Sequence, residues 1–374
     1  MELEQLINEE TVKGLGLNLK RCLGSGGWGK VYIVTNQRGN QFVAKFSKVG
    51  EFEKLSSEST NSLIPIEINY LGNDQKEISI SLKNGDKKNY YLDDYTFSKY
   101  YSLLFESQCL SICNQNNIGN INQFREFQHF SVDKFVGNVS LTEYTKDSEC
   151  LYHLLCEDKL EPKIRYKIIN ELAKTVYELS QYVGITHRDI KPKNILMCPD
   201  NSIQLIDFGV STFNEKFNQI DLSSQQIPSY FKLLLNHAME HENGHYGTLG
   251  FVAPETEINS RMDYFSLGFT VCAILTGNRI PQNYSVDTDS PSSLIVDYDN
   301  NDRIKTLDLL HKYKVQTKMI EAIGELIWED PTKRDIFPLI QISNEYYQRY
   351  DELQRKSKQF ITYGINKIKN LFSS

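Results

Sequence analysis

His187-Arg188-Asp189-Ile190-Lys191-Pro192-Lys193-Asn194 is followed, thirteen residues after Asn194, by Asp207-Phe208-Gly209. The stretch holds an acid, an amide and a second acid at fixed spacing. Such a set suits phosphoryl transfer, in which one carboxylate orients an attacking hydroxyl while an amide oxygen and another carboxylate hold a divalent ion. Asp189, Asn194 and Asp207 have the required identities.

Upstream, Leu23-Gly24-Ser25-Gly26-Gly27-Trp28-Gly29-Lys30-Val31 supplies Gly-x-Gly-x-x-Gly-x-Val. That pattern alone is weak, because it also marks dinucleotide sites, which need a strand before it and a helix after it. Here Val31 to Val34, Asn36 to Asn40 and Phe42 to Lys45 read as strand, turn and strand. A hairpin with a glycine-rich turn can lay backbone amides over phosphates, since no side chain holds them away.

These motifs resemble those of eukaryotic-type protein kinases of the serine/threonine class. The resemblance implies an α+β, two-lobed fold with a small β-rich N-lobe carrying one main helix and a larger helical C-lobe. It implies ATP and Mg2+ as cofactors, with Mn2+ as an alternative ion. Leu23, Gly24, Gly26, Gly29, Val31, Val43 and Lys45 match the nucleotide-binding positions; Val43 takes a slot the family usually gives to alanine. Lys45 reaches the α and β phosphates and needs an acidic partner. Glu106 is the candidate, on a helix read over Tyr100 to Cys113, in preference to Glu53 and Glu67. Gly137 to Thr145 resembles the strand and hinge at the adenine, with Thr142 at the back and the Glu143 carbonyl and Thr145 amide facing the base. Asp147 and Glu149 are both candidates for the ribose.

The same resemblance makes Asp189 the catalytic base, Lys191 the γ-phosphate contact, and Asn194 and Asp207 the metal ligands. Arg188 suggests a phosphate on the activation segment. Gly247-Thr248-Leu249-Gly250-Phe251-Val252-Ala253-Pro254-Glu255 looks like the end of that segment, with Glu255 pairing to Arg334 as a structural contact. Asp263 is expected to fix the catalytic-loop backbone, and Phe265 replaces the family's tryptophan. Lys191 and Thr248 imply serine/threonine transfer to a protein substrate. The rival readings are a pseudokinase scaffold, disfavoured by an undamaged Lys45, Asp189, Asn194 and Asp207, and a small-molecule kinase, disfavoured by Thr248 and Glu255.

The expected organisation is an N-lobe over 1–145, a C-lobe over 146–345 with its activation segment at 207–255, and a basic amphipathic tail over 346–374. The apolar positions 164, 168, 169, 172, 176 and 179 predict a helix leading to His187. The interval between Lys45 and Glu106 is about forty residues longer than the family needs. Within it, alternating Ile66, Ile68 and Tyr70, Ile78, Ile80 and Leu82, and Tyr90 and Leu92 predict an inserted β-meander at about 50–95, either decorative or a regulatory partner site. In the long activation segment, His237-Ala238-Met239-Glu240-His241 imitates a zinc-protease pattern with His245 nearby. A polar loop helix is the plainer reading, because no separate protease domain fits. Ser211, Thr212, Ser223, Ser224 and Ser229 are candidate phosphorylation sites. Ile361, Ile365, Ile368 and Phe372 share one helical face in the tail, which suits docking on the C-lobe, partner binding or, less well with so few cations, a membrane surface.

Composition narrows the class. The chain has 374 residues, 40% hydrophobic content and a net charge of −7, so a folded two-lobed protein fits and nucleic acid is not expected as a partner. Seven cysteines at scattered positions suit a reducing compartment. No signal peptide and no long apolar run is evident, so the expectation is cytoplasmic, or exported by a route leaving no recognisable signal.

Overall fold

The computed structural model describes residues 3–26, 29–51, 65–72, 75–81, 87–132, 135–217, 247–279 and 298–372. It begins with two short helices, α1 (Leu3–Leu6) and α2 (Glu9–Gly14), the second capped by Asn8, whose side chain accepts from the Thr11 amide. Strands β1 (Leu17–Gly26), β2 (Gly29–Asn36) and β3 (Gln41–Glu51) follow. The β2–β3 turn closes because Asn36 Oδ1 accepts from the Arg38 and Asn40 amides while Gly39 takes a left-handed φ of 82°.

The interval read as a meander holds β4 (Pro65–Gly72), β5 (Gln75–Ser81) and β6 (Lys87–Asp93), an antiparallel sheet in sequence order. β6 passes directly into helix α3 (Asp94–Gln115). The helix therefore starts six residues earlier than the Tyr100 boundary, because the aromatic and polar residues from 94 to 99 carry no clean helical period. β7 (Phe124–Val132) and β8 (Phe135–Glu143) complete the main sheet, ordered β1-β2-β3-β8-β7.

In that sheet the register separates two faces. Ala44 lies opposite Leu141 and Phe46 opposite Val139, and these join Val34, Leu17, Val12 and Ile7 in an apolar cluster closed by the N-terminal helices. Val43, Lys45 and Ser47 lie opposite Thr142, Ser140 and Asn138 on the other face. The alternation follows from the two-residue period of a strand.

The helical lobe contains β9 (Glu149–Cys150), α4 (Leu151–Cys156), α5 (Pro162–Tyr182), β10 (Ile185–Thr186), β11 (Ile195–Met197), β12 (Ile203–Leu205), β13 (Thr212–Phe213), α6 (Met262–Thr276), α7 (Asn300–Lys312), α8 (Thr317–Leu326) and α9 (Phe337–Phe372). Ile168, Ile169, Leu172, Val176 and Leu179 of α5 are fully buried, with Ile164 packed against the same core. Buried on nearly all sides, α6 is the centre of this lobe. Arg334 fixes its flank, binding Glu255 through two nitrogens at 2.5 and 2.8 Å while its guanidinium lies over the Phe265 ring.

α9 runs unbroken across 345 and 346, where the tail was expected to begin. Its first half docks on α5: Tyr166 lies between Tyr346 and Tyr350, Asn170 donates to the Ile340 carbonyl, and Lys163 pairs with Asp351 at 2.6 Å. The side chains at 361, 365, 368 and 372, the His237 to His245 cluster, and Ser223, Ser224 and Ser229 lie outside the described residues. Among the described residues no helix is long and apolar enough to cross a membrane.

Candidate active site

The loop between β10 and β11 is pinned before it reaches Asp189. Arg188 has a left-handed φ of 65°, unfavourable for a residue with a Cβ. Asp263 at the start of α6 offsets that strain by accepting from the His187 and Arg188 amides at 2.5 and 2.8 Å. Burial pushes the Asp263 carboxyl upward, opposed by His187, these two amides and Arg188. Arg188 also donates through Nε to the Val210 carbonyl at 2.6 Å.

Asp189 is consequently held in one orientation. Its Oδ1 accepts from the Thr248 hydroxyl at 2.7 Å, and its Oδ2 accepts from Lys191 at 2.5 Å and Asn194 Nδ2 at 2.8 Å. Lys191 also donates to Thr248 at 2.5 Å. The glycine before Thr248 has a physical reason: a Cβ on Gly247 would stand 2.3 Å from the Arg188 carbonyl oxygen. Without a glycine there, the segment bearing Thr248 could not approach the Arg188 backbone.

Across the cleft, Lys45 on β3 binds Glu106 Oε2 at 2.7 Å and Asp207 Oδ1 at 2.8 Å. Glu106 is buried on α3. Burial works against the charge on Lys45, but Glu106 and Asp207 hold its ammonium above the ordinary value. Burial pushes Glu106 upward, with Lys45 offsetting part of that rise. Burial also acts to raise Asp207, yet the Lys45 ammonium and its hydrogen bond keep that carboxyl below the ordinary range. Phe208 is fully buried, its ring 4.6 Å from that of His187, so the Asp207-Phe208-Gly209 motif is anchored by an apolar plug beside its charged residue.

The glycine-rich stretch lies at the ends of β1 and β2. Gly24 pairs with Val31 and Gly26 with Gly29, and Leu23 stands exposed at the turn's entrance. A Cβ on Gly29 would lie 2.1 Å from the Phe46 carbonyl oxygen, so the turn packs against β3 only as glycine. Val31 lies opposite Lys45, and Val43 opposite Thr142. Glu143 closes β8, its side chain paired with Arg125, and Thr145 follows with its hydroxyl bonded to Gln204 on β12. The segment joining the lobes is thereby tied to both.

The donor set fits a divalent ion shared with phosphate oxygens. Asn194 commits Nδ2 to Asp189, which leaves Oδ1 for a cation, and Asp207 commits Oδ1 to Lys45, which leaves Oδ2 on a half-exposed carboxylate. Two protein oxygens do not complete a coordination shell, so the remaining ligands must come from a nucleotide and water. Among the described residues no group of three His, Cys, Asp or Glu side chains could hold a metal alone.

Three contacts escaped the sequence reading. Asn122 Nδ2 donates to the Thr142 hydroxyl at 3.0 Å, Ser107 on α3 shares a 2.9 Å hydrogen bond with Ser140, and the Ser102 hydroxyl donates to the Gly209 carbonyl at 2.7 Å. Ser102 lies one turn before Glu106, the signal by which it could have been found. Ser211 and Thr212, read as candidate phosphorylation sites, are buried at 3% and 0% exposure, Ser211 donating to the His187 carbonyl. They are structural in this conformation, since a kinase acting on them would need an exposed hydroxyl.

Curated relatives resemble parts of the chain. Serine/threonine-protein kinase MRCK gamma of Mus musculus is 28% identical over 156 residues, 41% of this chain and 9% of its own length. The probable serine/threonine-protein kinase PknB of Lactococcus lactis is 23% identical over 195 residues, 51% of this chain and 26% of its own. Cysteine-rich receptor-like protein kinase 34 of Arabidopsis thaliana is 25% identical over 223 residues, 56% of this chain and 29% of its own. The chain thus spans less than a third of each of these relatives. The protein kinase domain family matches residues 87–338, from β6 into α9, leaving the glycine-rich turn and Lys45 to be placed by geometry. With more than half of its length matched in the two-lobed fold, the chain belongs to the protein kinase domain family.

Proposed function

We propose that this chain transfers the γ-phosphate of ATP to serine and threonine hydroxyls of proteins. The observation that carries the reading is the Asp189 carboxylate held by Thr248, Lys191 and Asn194 in the cleft where Lys45, Glu106 and Asp207 converge. Asp189 orients the acceptor hydroxyl and takes its proton as the new O–P bond forms and the bond to the β-phosphate oxygen breaks, ADP leaving with the electron pair. Lys191, which donates to Asp189 Oδ2, steadies the γ-phosphate. Lys45 holds the α and β phosphates, the glycine-rich turn covers them with backbone amides, and the Glu143 carbonyl and Thr145 amide meet the adenine edge. Asn194 and Asp207 would hold a divalent ion, magnesium in this reading, with manganese as an alternative, which would supply charge neutralisation to the phosphates.

A protein mixture incubated with ATP and Mg2+, and read by mass spectrometry against Asp189→Ala, tests this. Phosphoserine and phosphothreonine above the control are expected. Phosphotyrosine would overturn the hydroxyl class, phosphorylated small molecules would favour the small-molecule reading, and no product would leave a scaffold. The seven free thiols support a reducing compartment, and cytoplasmic placement belongs to the same proposal. The β4–β6 sheet joins α3 without a linker, which supports a regulatory role for it. Unchanged activity and partners after replacing residues 65–86 with a short Gly/Ser linker would remove that role.

A further inference from the structure

The metal-binding motif is gripped from α3 at two points, of which the Glu106–Lys45–Asp207 chain is only one. The other is the Ser102 hydroxyl, 9% exposed, which donates to the Gly209 carbonyl at 2.7 Å. Ser102 and Glu106 are four residues apart and so share one face of the helix. A Cβ placed on Gly209 would lie 3.4 Å from Asp207 Oδ1, 3.5 Å from Ser102 Oγ and 3.6 Å from Lys45 Nζ. The Asp207 carboxylate, Ser102 of α3 and Lys45 of β3 thus meet at one point beside Gly209.

Asp207 needs that support. Its φ of 67° is left-handed, a conformation that persists in a non-glycine residue only where the surroundings impose it. On its N-terminal side the Ile206 amide donates to the Asn194 carbonyl at 2.9 Å. On its C-terminal side the Gly209 carbonyl is taken by Ser102, a fastening that comes from α3.

We propose that Ser102 is a positioning residue that holds the Asp207 backbone in its metal-binding conformation, making metal-supported nucleotide affinity depend on the seat of α3. The inference rests on the proposed use of ATP with a divalent ion. Ser102 touches neither nucleotide nor metal; it acts through the Gly209 carbonyl. The structural alternative, that Ser102 merely stabilises the helix, predicts a change in melting temperature without a change in metal dependence.

The test is calorimetric titration of the full chain with ATP, in Mg2+ and again in EDTA, for wild type, Ser102→Ala and Ser102→Thr. Loss of one hydrogen bond should weaken binding about five- to tenfold in Mg2+, leave binding in EDTA unchanged, and be largely reversed by threonine, which restores the hydroxyl. Equal weakening in both buffers, no weakening, or no rescue by threonine would overturn the proposal. Should Ser102→Ala fail to fold, Ser102→Cys, which keeps the size but donates weakly, carries the same comparison. Wild type that binds no ATP in either buffer would overturn the functional reading itself, whereas wild-type Mg2+ dependence retained in Ser102→Ala overturns this inference alone.

Discussion

The two faces of the β1-β2-β3-β8-β7 sheet are built differently. The outer face is apolar: Ala44, Phe46, Val139 and Leu141 lie under Ile7 and Val12 and are almost completely buried. The inner face, turned toward α3, carries Lys45, Ser47, Asn138, Ser140 and Thr142, which are polar and mostly buried. Apolar contacts are non-directional and tolerate small displacements, whereas a buried hydrogen bond requires its partner in place. The outer face therefore holds the N-lobe together, and the inner face fixes where α3 must sit for Lys45, Glu106 and Asp207 to meet. The other side of α3, with Leu104, Phe105, Cys109 and Leu110, joins the apolar core of the helical lobe. The helix is thus a bridge with a greasy footing on one lobe and a hydrogen-bonded footing on the other.

Substitutions separate the faces. The largest effect is expected at Lys45→Met on the inner face, which should lower kcat/KM at least about a hundredfold while leaving the melting temperature near that of wild type. The same variant has a pH signature. Lys45 holds the Asp207 carboxyl below its ordinary value, so in wild type the carboxylate persists as pH falls, and its contribution is lost only on passing through the depressed folded value. Removing Lys45 takes away the main opposition to burial and moves the acid limb of metal-dependent ATP binding to higher pH; an unmoved limb would show that Lys45 does not set the charge of Asp207.

On the outer face the expectation reverses. Phe46→Ala should cost about 3–5 kcal/mol of stability through lost burial and a cavity, measured by denaturant unfolding, with the surviving folded protein retaining its affinity for ATP. Smallest is Ser107→Ala, expected to cost about 1 kcal/mol, and Ser107→Ala with Ser140→Ala should cost less than the two singles added, because they share one hydrogen bond. Strict additivity would remove that bond from the account of how α3 is seated.

The difference between the faces also explains what could be read from sequence. Asp189, Asn194 and Asp207, the glycine-rich turn and Lys45 are dictated by chemistry, so their identities and spacing declare them. Val139 and Leu141 alternate with Asn138, Ser140 and Thr142, which reads as an ordinary half-buried strand; nothing local shows that the polar side meets α3 and not water. Ser102 resembles any polar residue on a helix, because its partner is a backbone carbonyl 107 residues away. α1 and α2 are too short to show a period, although Asn8 before Glu9 and Glu10 was an available start signal. The early start of α3 was hidden because the residues from 94 to 99, which follow directly on β6, carry no clean helical period.

The central claim is that Asp189, so held, serves transfer from a nucleotide gripped by Lys45 and Asp207. The most direct measurement is transfer of labelled γ-phosphate from ATP to a protein mixture by wild type, Asp189→Asn and Lys45→Met in one Mg2+ buffer, with each variant's fold confirmed by its melting curve. The account predicts label on protein with wild type and a loss of at least about a hundredfold in both variants. Wild-type rates in Asp189→Asn, or no label on protein with folded wild type, would contradict it.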